Sequence, residues 1–515
     1  MNISALPLLI QQMLEPEFYP HPVTEPIALI QTHISFVLLT GDYVYKIKKP
    51  VNFGFVDFST LDKRKHFCYE ELRLNQRTAP DLYLEVLPIV QERDRVLFSP
   101  DAEEISVIEY AIKMRQFPQE TLLINMFERG ELTEKHLETL GKELAKIHRN
   151  APTSDYIRKF GEVARIRDAM NNNYRQTEKY IGSVQTPQQY EETRGYTEQF
   201  FEHNQELFKQ RIEKDKIREC HGDLHLKNVA FWQDKIVIFD CIEFNEPFRY
   251  VDFIYDVAFT VMDLESRSRK DLANAFLNTY LEHTGDWEGV QVLPLYLSRQ
   301  AYVRAKVNSL MLDDSAISPE EKDQILPLAS HYYTLAWEYT QPRQGKIILM
   351  SGLSGSGKST IARYLSRKIN AIHIRSDAVR KHIAGIDLYE KGSADVYTPE
   401  MTQKTYQRLG ELGVMLAKQG FSVILDAKYD RLYLRENAIN LAKENQLEIQ
   451  IIYCNAPVEV LRERLQKRVG DITDAKVDLL ASQLESAEPF SELEKDFVQE
   501  IDTNLGLEVQ LQQFL

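Results

Sequence analysis

Gly352-Leu353-Ser354-Gly355-Ser356-Gly357-Lys358-Ser359 has the form G-x-x-x-x-G-K-[ST] and directly follows an apolar run, Lys346 to Met350. These residue types suit a phosphate group. Glycines let the backbone turn tightly enough for successive N–H groups to point at one anion, and the positive end of the following helix adds to them. Lys358 would reach the β and γ oxygens of a nucleotide, Ser359 would ligate Mg²⁺, and Thr360 would extend the nucleotide-contacting run. Ile361, Leu365 and Ile369 recur at helical spacing, which predicts the helix that the loop must cap.

Three further features lie downstream. Arg375-Ser376-Asp377-Ala378-Val379-Arg380 follows a second predicted strand, Ala371 to Ile374. A carboxylate at Asp377 faces the γ-phosphate and can accept a proton from a substrate hydroxyl, while Arg380, three residues on, lies on the same helical face to hold an anionic substrate. Arg464 and Arg468 stand four apart on a helix predicted over Val458 to Arg468, where one face could close over a transferring phosphoryl group. Asp426 ends the apolar strand Ser422 to Leu425, the place expected of an acidic residue that orients magnesium through water. From about 345 to 515 the chain therefore resembles the small-molecule P-loop kinases that include gluconate kinase, chloramphenicol phosphotransferase, zeta toxins and the kinase half of polynucleotide kinase. The resemblance implies that Asp377 is a general base or substrate anchor. Its Asp-x-x-Arg spacing is most like the polynucleotide kinase version, which keeps a nucleic-acid end among the acceptors.

A second constellation precedes this one. His221-Gly222-Asp223-Leu224-His225-Leu226-Lys227-Asn228, followed by Ile238-Phe239-Asp240, has the layout of a kinase catalytic loop and magnesium-binding Asp. In that layout Asp223 orients the substrate hydroxyl, and Asn228 and Asp240 ligate Mg²⁺. Gly222 argues against a helix that would present His221 and His225 as paired metal ligands. The motif resembles that of the aminoglycoside phosphotransferases, H-G-D-x-x-x-x-N with a later Asp, over roughly 30 to 340. The resemblance implies that Lys46 in Val44-Tyr45-Lys46 holds the α and β phosphates, with Lys48 on the same strand face as the alternative. It also implies a partnering acid on the next helix, Glu71 in preference to Glu70, and adenine contacts from the backbone around Lys113 to Gln116. Asp252 and Asp256 match the acids that brace the catalytic loop in that family. Two departures stand out: no G-x-G-x-x-G precedes Lys46, and Cys241-Ile242 follows Asp240.

The elements that must position these groups are legible in outline. Ile34 to Ile47 alternates like a hairpin turning at Gly41-Asp42, and Val107 to Met114 reads as another strand. A helix is predicted over Thr133 to Arg149, with His148 as a packed or capping residue rather than a catalyst. Val229 to Trp232 and Lys235 to Phe239 form a short hairpin between Asn228 and Asp240. Thr340-Gln341-Pro342-Arg343-Gln344-Gly345 is the boundary, because a polar Pro/Gly stretch there ends a helical segment before an apolar strand. The expected architecture is α/β and multidomain. Residues 1–340 form a bilobal, protein-kinase-like (α+β) domain with a small lobe at about 30–116 and a large lobe at about 117–340. Residues 345–515 form a P-loop α/β domain with a parallel sheet.

Composition narrows the rest. At 515 residues, with 43% hydrophobic and 27% charged, the chain has material for more than one core and is not disordered. A net charge of −15 repels phosphate backbones, so bulk nucleic-acid or anionic-membrane binding is disfavoured. Cys68, Cys220, Cys241 and Cys454 are scattered, which suggests reduced thiols rather than a zinc site or disulfide framework. No run approaches the roughly 18 apolar residues of a membrane span, and a cytoplasmic location is expected. The expected function is an ATP- and Mg²⁺-dependent phosphotransferase with two nucleotide sites acting on a small hydroxylated molecule. The alternatives are a P-loop enzyme regulated by an idle kinase-like module and a nucleic-acid end kinase. The acceptor and the oligomeric state are not encoded in any local pattern.

Overall fold

Strand β3, Tyr43–Lys48, shows how a two-residue period builds both a core and a site. Tyr45 and Ile47 point into one apolar cluster with Leu38, Leu87 and Ile89, closed over by Ile10 and Met13 of the N-terminal helix Leu8–Met13. Val44, Lys46 and Lys48 occupy the opposite face, against which the helix Leu61–Asn75 packs through Cys68 and Leu72. The other strands of this sheet are β1 (Ala28–Gln31), β2 (Ser35–Leu39), β4 (Tyr83–Glu92), β5 (Arg95–Phe98) and β6 (Val107–Arg115). They pair antiparallel in the order β1-β2-β3-β6-β4-β5, with Lys46 opposite Val37 on one side and Ile112 on the other.

The computed structural model describes residues 6–505 and 510, apart from 94, 102, 316, 469, 475 and 476, so the end of the 345–515 segment lies partly outside the described residues. Contacts divide the chain into two units. The first comprises Met1–Leu132, Asn150–Ile166 and Asn204–Thr260. Besides the six-stranded sheet it holds β7 (Ile217–Glu219), the hairpin β8 (Val229–Trp232) and β9 (Lys235–Ile238), and β10 (Tyr250–Asp252), which pairs with β7.

The second unit comprises Thr133–Arg149, Arg167–His203 and Val261–Leu515. Its strands are β11 (Lys346–Ser351), β12 (Ile372–Arg375), β13 (Ser422–Asp426), β14 (Glu448–Asn455) and β15 (Val498–Asp502). All pair parallel, in the order β12-β13-β11-β14-β15. Ile347 to Ser351 are all buried, as in a strand covered on both faces. Because β11 sits where the strand order reverses, the crevice beyond its C-terminal end is the natural ligand position. Helices of the same unit include Glu134–Asn150, Lys270–Thr284, Leu293–Leu312 and Pro319–Glu338. His148 is buried, with Nδ1 2.9 Å from the Tyr280 hydroxyl, a packed position. The four cysteines are buried and form no disulfide. No helix among the described residues is long and apolar enough to cross a membrane.

Candidate active sites

Lys46, Glu71 and Asp240 meet in the first unit. Lys46 Nζ donates to Glu71 Oε1 at 2.7 Å and to Asp240 Oδ1 at 2.8 Å. Lys48 is one period along the same face, so it reaches the same helix residue, donating to Glu71 Oε2 at 2.6 Å and to Glu243. The two lysines therefore share one carboxylate. Burial works against the charge on Lys46, but Asp240 and Glu71 outweigh it and hold its pKa well above the ordinary value. Burial likewise works against ionisation of Asp240, and Lys46 reverses the effect, leaving that carboxyl below its usual range. Glu70 points elsewhere, to Arg73 and Arg249.

The catalytic-loop motif is shaped by its backbone. Gly222 has φ +87°, and a Cβ there would lie 2.6 Å from the carbonyl of Phe248. The N–H groups of His221 and Gly222 donate to the two oxygens of Asp256 at 2.7 and 2.8 Å, so that carboxylate braces the loop. Asp252 is bound instead by Arg211 and accepts from the N–H of Ile254. His221 accepts at Nδ1 from the N–H of Asp223 at 3.2 Å and faces the Phe239 carbonyl with Nε2 at 2.8 Å, which a neutral ring protonated on Nε2 satisfies. Asn228 donates Nδ2 to the carbonyl and a carboxylate oxygen of Asp223, at 3.0 and 3.3 Å. Asp240 follows β9 in the left-handed region at φ +64°, which turns its side chain back toward β3. Asn228 and Asp240 offer the oxygen donors that a hard divalent cation prefers, with Asp223 beside Asn228. Around Lys113 to Gln116, the Gln116 side chain accepts from the N–H of Gly41, which ties the hairpin turn to the end of β6. The turn joining β1 to β2 is Thr32-His33-Ile34 and contains no glycine.

The second unit carries the phosphate loop as a strand-to-helix turn between β11 and the helix Lys358–Ile369. Gly352, Gly355 and Gly357 all have positive φ, and a Cβ at Gly352 would lie 2.4 Å from the Cys454 carbonyl. Lys358 folds over the loop and donates to the Leu353 carbonyl at 2.8 Å; burial lowers its pKa. The Ser356 hydroxyl is buried without a hydrogen-bond partner, an acceptor-seeking group inside the cradle that a phosphate oxygen would satisfy. One loop N–H is already occupied, since Ser354 donates to Gln483 at 3.1 Å. Thr360 is exposed at the rim.

Asp426, at the end of β13, accepts from His373 Nε2 at 3.1 Å. Although burial opposes its ionisation, His373, Arg375 and the Ser359 hydroxyl bring its pKa down to about 2. An ionised carboxylate beside a hydroxyl is a donor set that suits Mg²⁺. These groups border a cavity of about 950 Å³ that also includes Lys358, Asp377, Arg380 and Arg468. Asp377 begins the helix Ser376–Ala384, and burial raises its pKa against the pull of Arg375. Arg380 is buried, with Nη1 3.2 Å from the Val396 carbonyl and 3.3 Å from Thr402, while its Nε has no partner.

The helix that carries the arginine pair runs over Val458–Lys467, one residue shorter than expected, with Arg468 as its C-cap at φ −68° and ψ 123°. Arg464 is held by Thr503, donating to its hydroxyl and its carbonyl at 2.8 Å each. Both residues still line the same cavity. His373, Gln483 and Thr503 carry no signal in the local motifs, and Glu243 carries only its place as an acid three residues after Asp240.

Residues 115–293 match the phosphotransferase enzyme family (APH), and residues 347–490 match an AAA domain. An uncharacterized protein of Mycobacterium tuberculosis (strain ATCC 25618 / H37Rv) is 30% identical over 468 residues, covering 90% of this chain and 91% of that protein. An adenylyl-sulfate kinase of Paraburkholderia xenovorans is 30% identical over 125 residues, 24% of this chain and 64% of that enzyme. Among solved structures, a choline/ethanolamine kinase family protein from Mesorhizobium loti covers 65% of this chain and 99% of its own at 11% identity, with TM-score 0.37. A gluconokinase from Sinorhizobium meliloti 1021 covers 33% and 90% at 21% identity, with TM-score 0.25.

Proposed function

Because the chain belongs to the same family as the mycobacterial protein, and joins a kinase-like APH phosphotransferase domain to a P-loop kinase-like domain, we propose that it transfers phosphate from ATP to a hydroxyl of a small molecule, using two nucleotide sites. One observation carries this reading: a single cavity beside the phosphate loop brings together Lys358, Asp377 and Asp426. In the proposed reaction Asp377 takes the proton of the acceptor hydroxyl as its oxygen bonds to the γ-phosphorus. The bond to the β–γ bridging oxygen breaks, and ADP departs. Lys358 and the loop N–H groups would hold the phosphates, and Arg380 would orient the acceptor. In the first unit Lys46 would clamp phosphates while Asp223 orients a second hydroxyl. Magnesium would be held by Asn228 and Asp240 in one site and by Ser359 and Asp426 in the other, where it neutralises phosphate charge.

A second reading keeps the P-loop enzyme but makes the first unit a nucleotide-binding module without chemistry. It is favoured by the glycine-free β1–β2 turn and by the pairing of Lys46 with Asp240. A nucleic-acid end remains a third class of acceptor, against which the acidity of the chain argues. Transfer from labelled ATP into a metabolite extract, run with wild type, Asp223→Asn and Lys358→Ala, tests all three. No labelled small molecule with any of them would overturn the leading proposal, and label lost only with Lys358→Ala would favour the second reading.

A further inference from the structure

The helix Lys270–Thr284 lies inside the segment matched by the APH family, yet it belongs to the same unit as the phosphate-loop sheet. There it runs beside β12, the edge strand. An edge strand presents backbone groups that no neighbouring strand pairs. Two asparagines of the helix take them. Asn278 accepts from the His373 N–H through Oδ1 at 2.8 Å and donates Nδ2 to the Ala371 carbonyl at 3.0 Å, while Asn274 donates to that carbonyl at 2.9 Å. Glu282 continues the stripe four residues later and accepts from Arg375 at 3.3 Å; its own carbonyl accepts from His382 Nε2 at 2.8 Å.

The residues held in this way lead into the cavity. His373 contacts Asp426, and Arg375 is divided among Glu282, Asp471 at 2.5 Å and Asp426 at 4.0 Å. Arg375 is only 7% exposed and lines the cavity with Asp377, which follows it by two residues. A buried guanidinium distributes its five N–H groups among whatever acceptors are present. Without Glu282, the carboxylates left around it would be those of Asp471, Asp426 and Asp377, and it would shift from the Glu282 side toward Asp426, changing its place beside Asp377.

We propose that Glu282 and Asn278 are positioning residues of the phosphate-loop site, holding Arg375 and β12 so that Asp377 and Asp426 face the same point. The phosphate-loop site is thus completed by a helix that precedes its own domain in the chain. The proposal rests on the reading of the phosphate loop as a phosphotransfer site.

The test is steady-state ATP hydrolysis by the full chain without acceptor, in an Asp240→Ala background so that turnover reports the phosphate loop. Glu282→Gln should lower kcat about tenfold and leave the KM for ATP within about twofold, because Glu282 acts on the transferring end and not on the loop. Asn278→Leu, similar in size but unable to bond β12, should show the same split. Arg375→Gln should be at least as damaging, and Glu282→Gln added to it should cost nothing further, since one acts through the other. Thermal unfolding midpoints exclude general loss of structure, and Glu282→Asp, which keeps the charge on a shorter arm, replaces Glu282→Gln if the latter does not fold. Unchanged kcat in Glu282→Gln, a parallel rise in KM, or additive losses with Arg375→Gln would each overturn the positioning role. Undiminished hydrolysis in Lys358→Ala would overturn the underlying site reading and the proposal with it. Loss in Lys358→Ala alongside a normal Glu282→Gln would overturn the positioning role alone.

Discussion

The ammonium of Lys46 lies 2.8 Å from a carboxylate oxygen of Asp240, 194 residues away in the chain. The cation expected to clamp phosphates and the acid expected to hold magnesium thus neutralise each other. A nucleotide brings phosphates for Lys46, and magnesium brings charge for Asp240, so the two must arrive together to replace that pair. In a Lys358→Ala background, ATP is expected to bind the full chain more tightly with Mg²⁺ than with EDTA. Asp240→Ala should erase the difference, and Asp223→Asn should not, because Asp223 serves the acceptor. Fluorescent-nucleotide titration reads this directly. No binding under either condition would make the first unit kinase-shaped without kinase chemistry.

Lys46 and Lys48 should differ in what they support. Lys48 has a fully buried side chain between Glu71 and Glu243, and its ammonium lies 4.7 Å from the centre of the Phe58 ring. Burial, with Glu71 adding to it, raises the pKa of Glu243 even against Lys48. Lys48→Met strands two buried carboxylates and should cost about 3–5 kcal/mol in urea unfolding. Lys46→Met, at a partly exposed position, should cost less stability while losing nucleotide affinity at this site. Equal stability losses would contradict the division.

Asp377 and Lys358 should separate chemistry from binding. Lys358→Ala is expected to lower turnover at the phosphate loop by about two to three orders of magnitude, because it deletes a cation aimed at charge developing on the γ-phosphate. Asp377→Asn should leave ATP affinity unchanged and lose transfer to the acceptor. Because burial raises its pKa above the ordinary 3.8, Asp377 remains protonated, and unable to act as a base, to a higher pH than a surface carboxylate. Transfer should therefore increase with rising pH along a limb displaced upward, and that limb should vanish in Asp377→Asn. Parallel loss of ATP affinity would make Asp377 structural.

Asp426 links the site to acid stability. Its pKa is near 2 when folded and 3.8 ordinarily, so the folded state favours the ionised form. The stabilisation, about 2 kcal/mol, is fully present above pH 3.8 and is lost as pH falls toward 2. The difference in unfolding free energy between wild type and Asp426→Asn should shrink between pH 5 and pH 3. A pH-independent difference would show that the residue acts through shape rather than charge.

Local pattern by itself determined much of this protein. The glycine spacing before Lys358 encodes a turn that larger residues would block, as the 2.4 Å approach at Gly352 shows. Alternation along β3 put Lys46 and Lys48 on one face, and helical periodicity carried Glu71 to meet it. The short hairpin after Asn228 returned the chain at Asp240. Each is a relation among residues close in sequence, where backbone geometry leaves few choices. Tertiary structure alone decided the partners. Glu71 is divided between two lysines, with Glu243 reaching Lys48 from beyond Asp240. Arg464 turns to Thr503, 39 residues away, because β15 ends beside it. Asn278 and Glu282 read as ordinary polar positions on a helix until β12 is laid against them. Side-chain partnership across such separations depends on which strand lies at a sheet edge and which helix covers it, and that order is set by long crossover connections, not by the spacing of neighbouring residues.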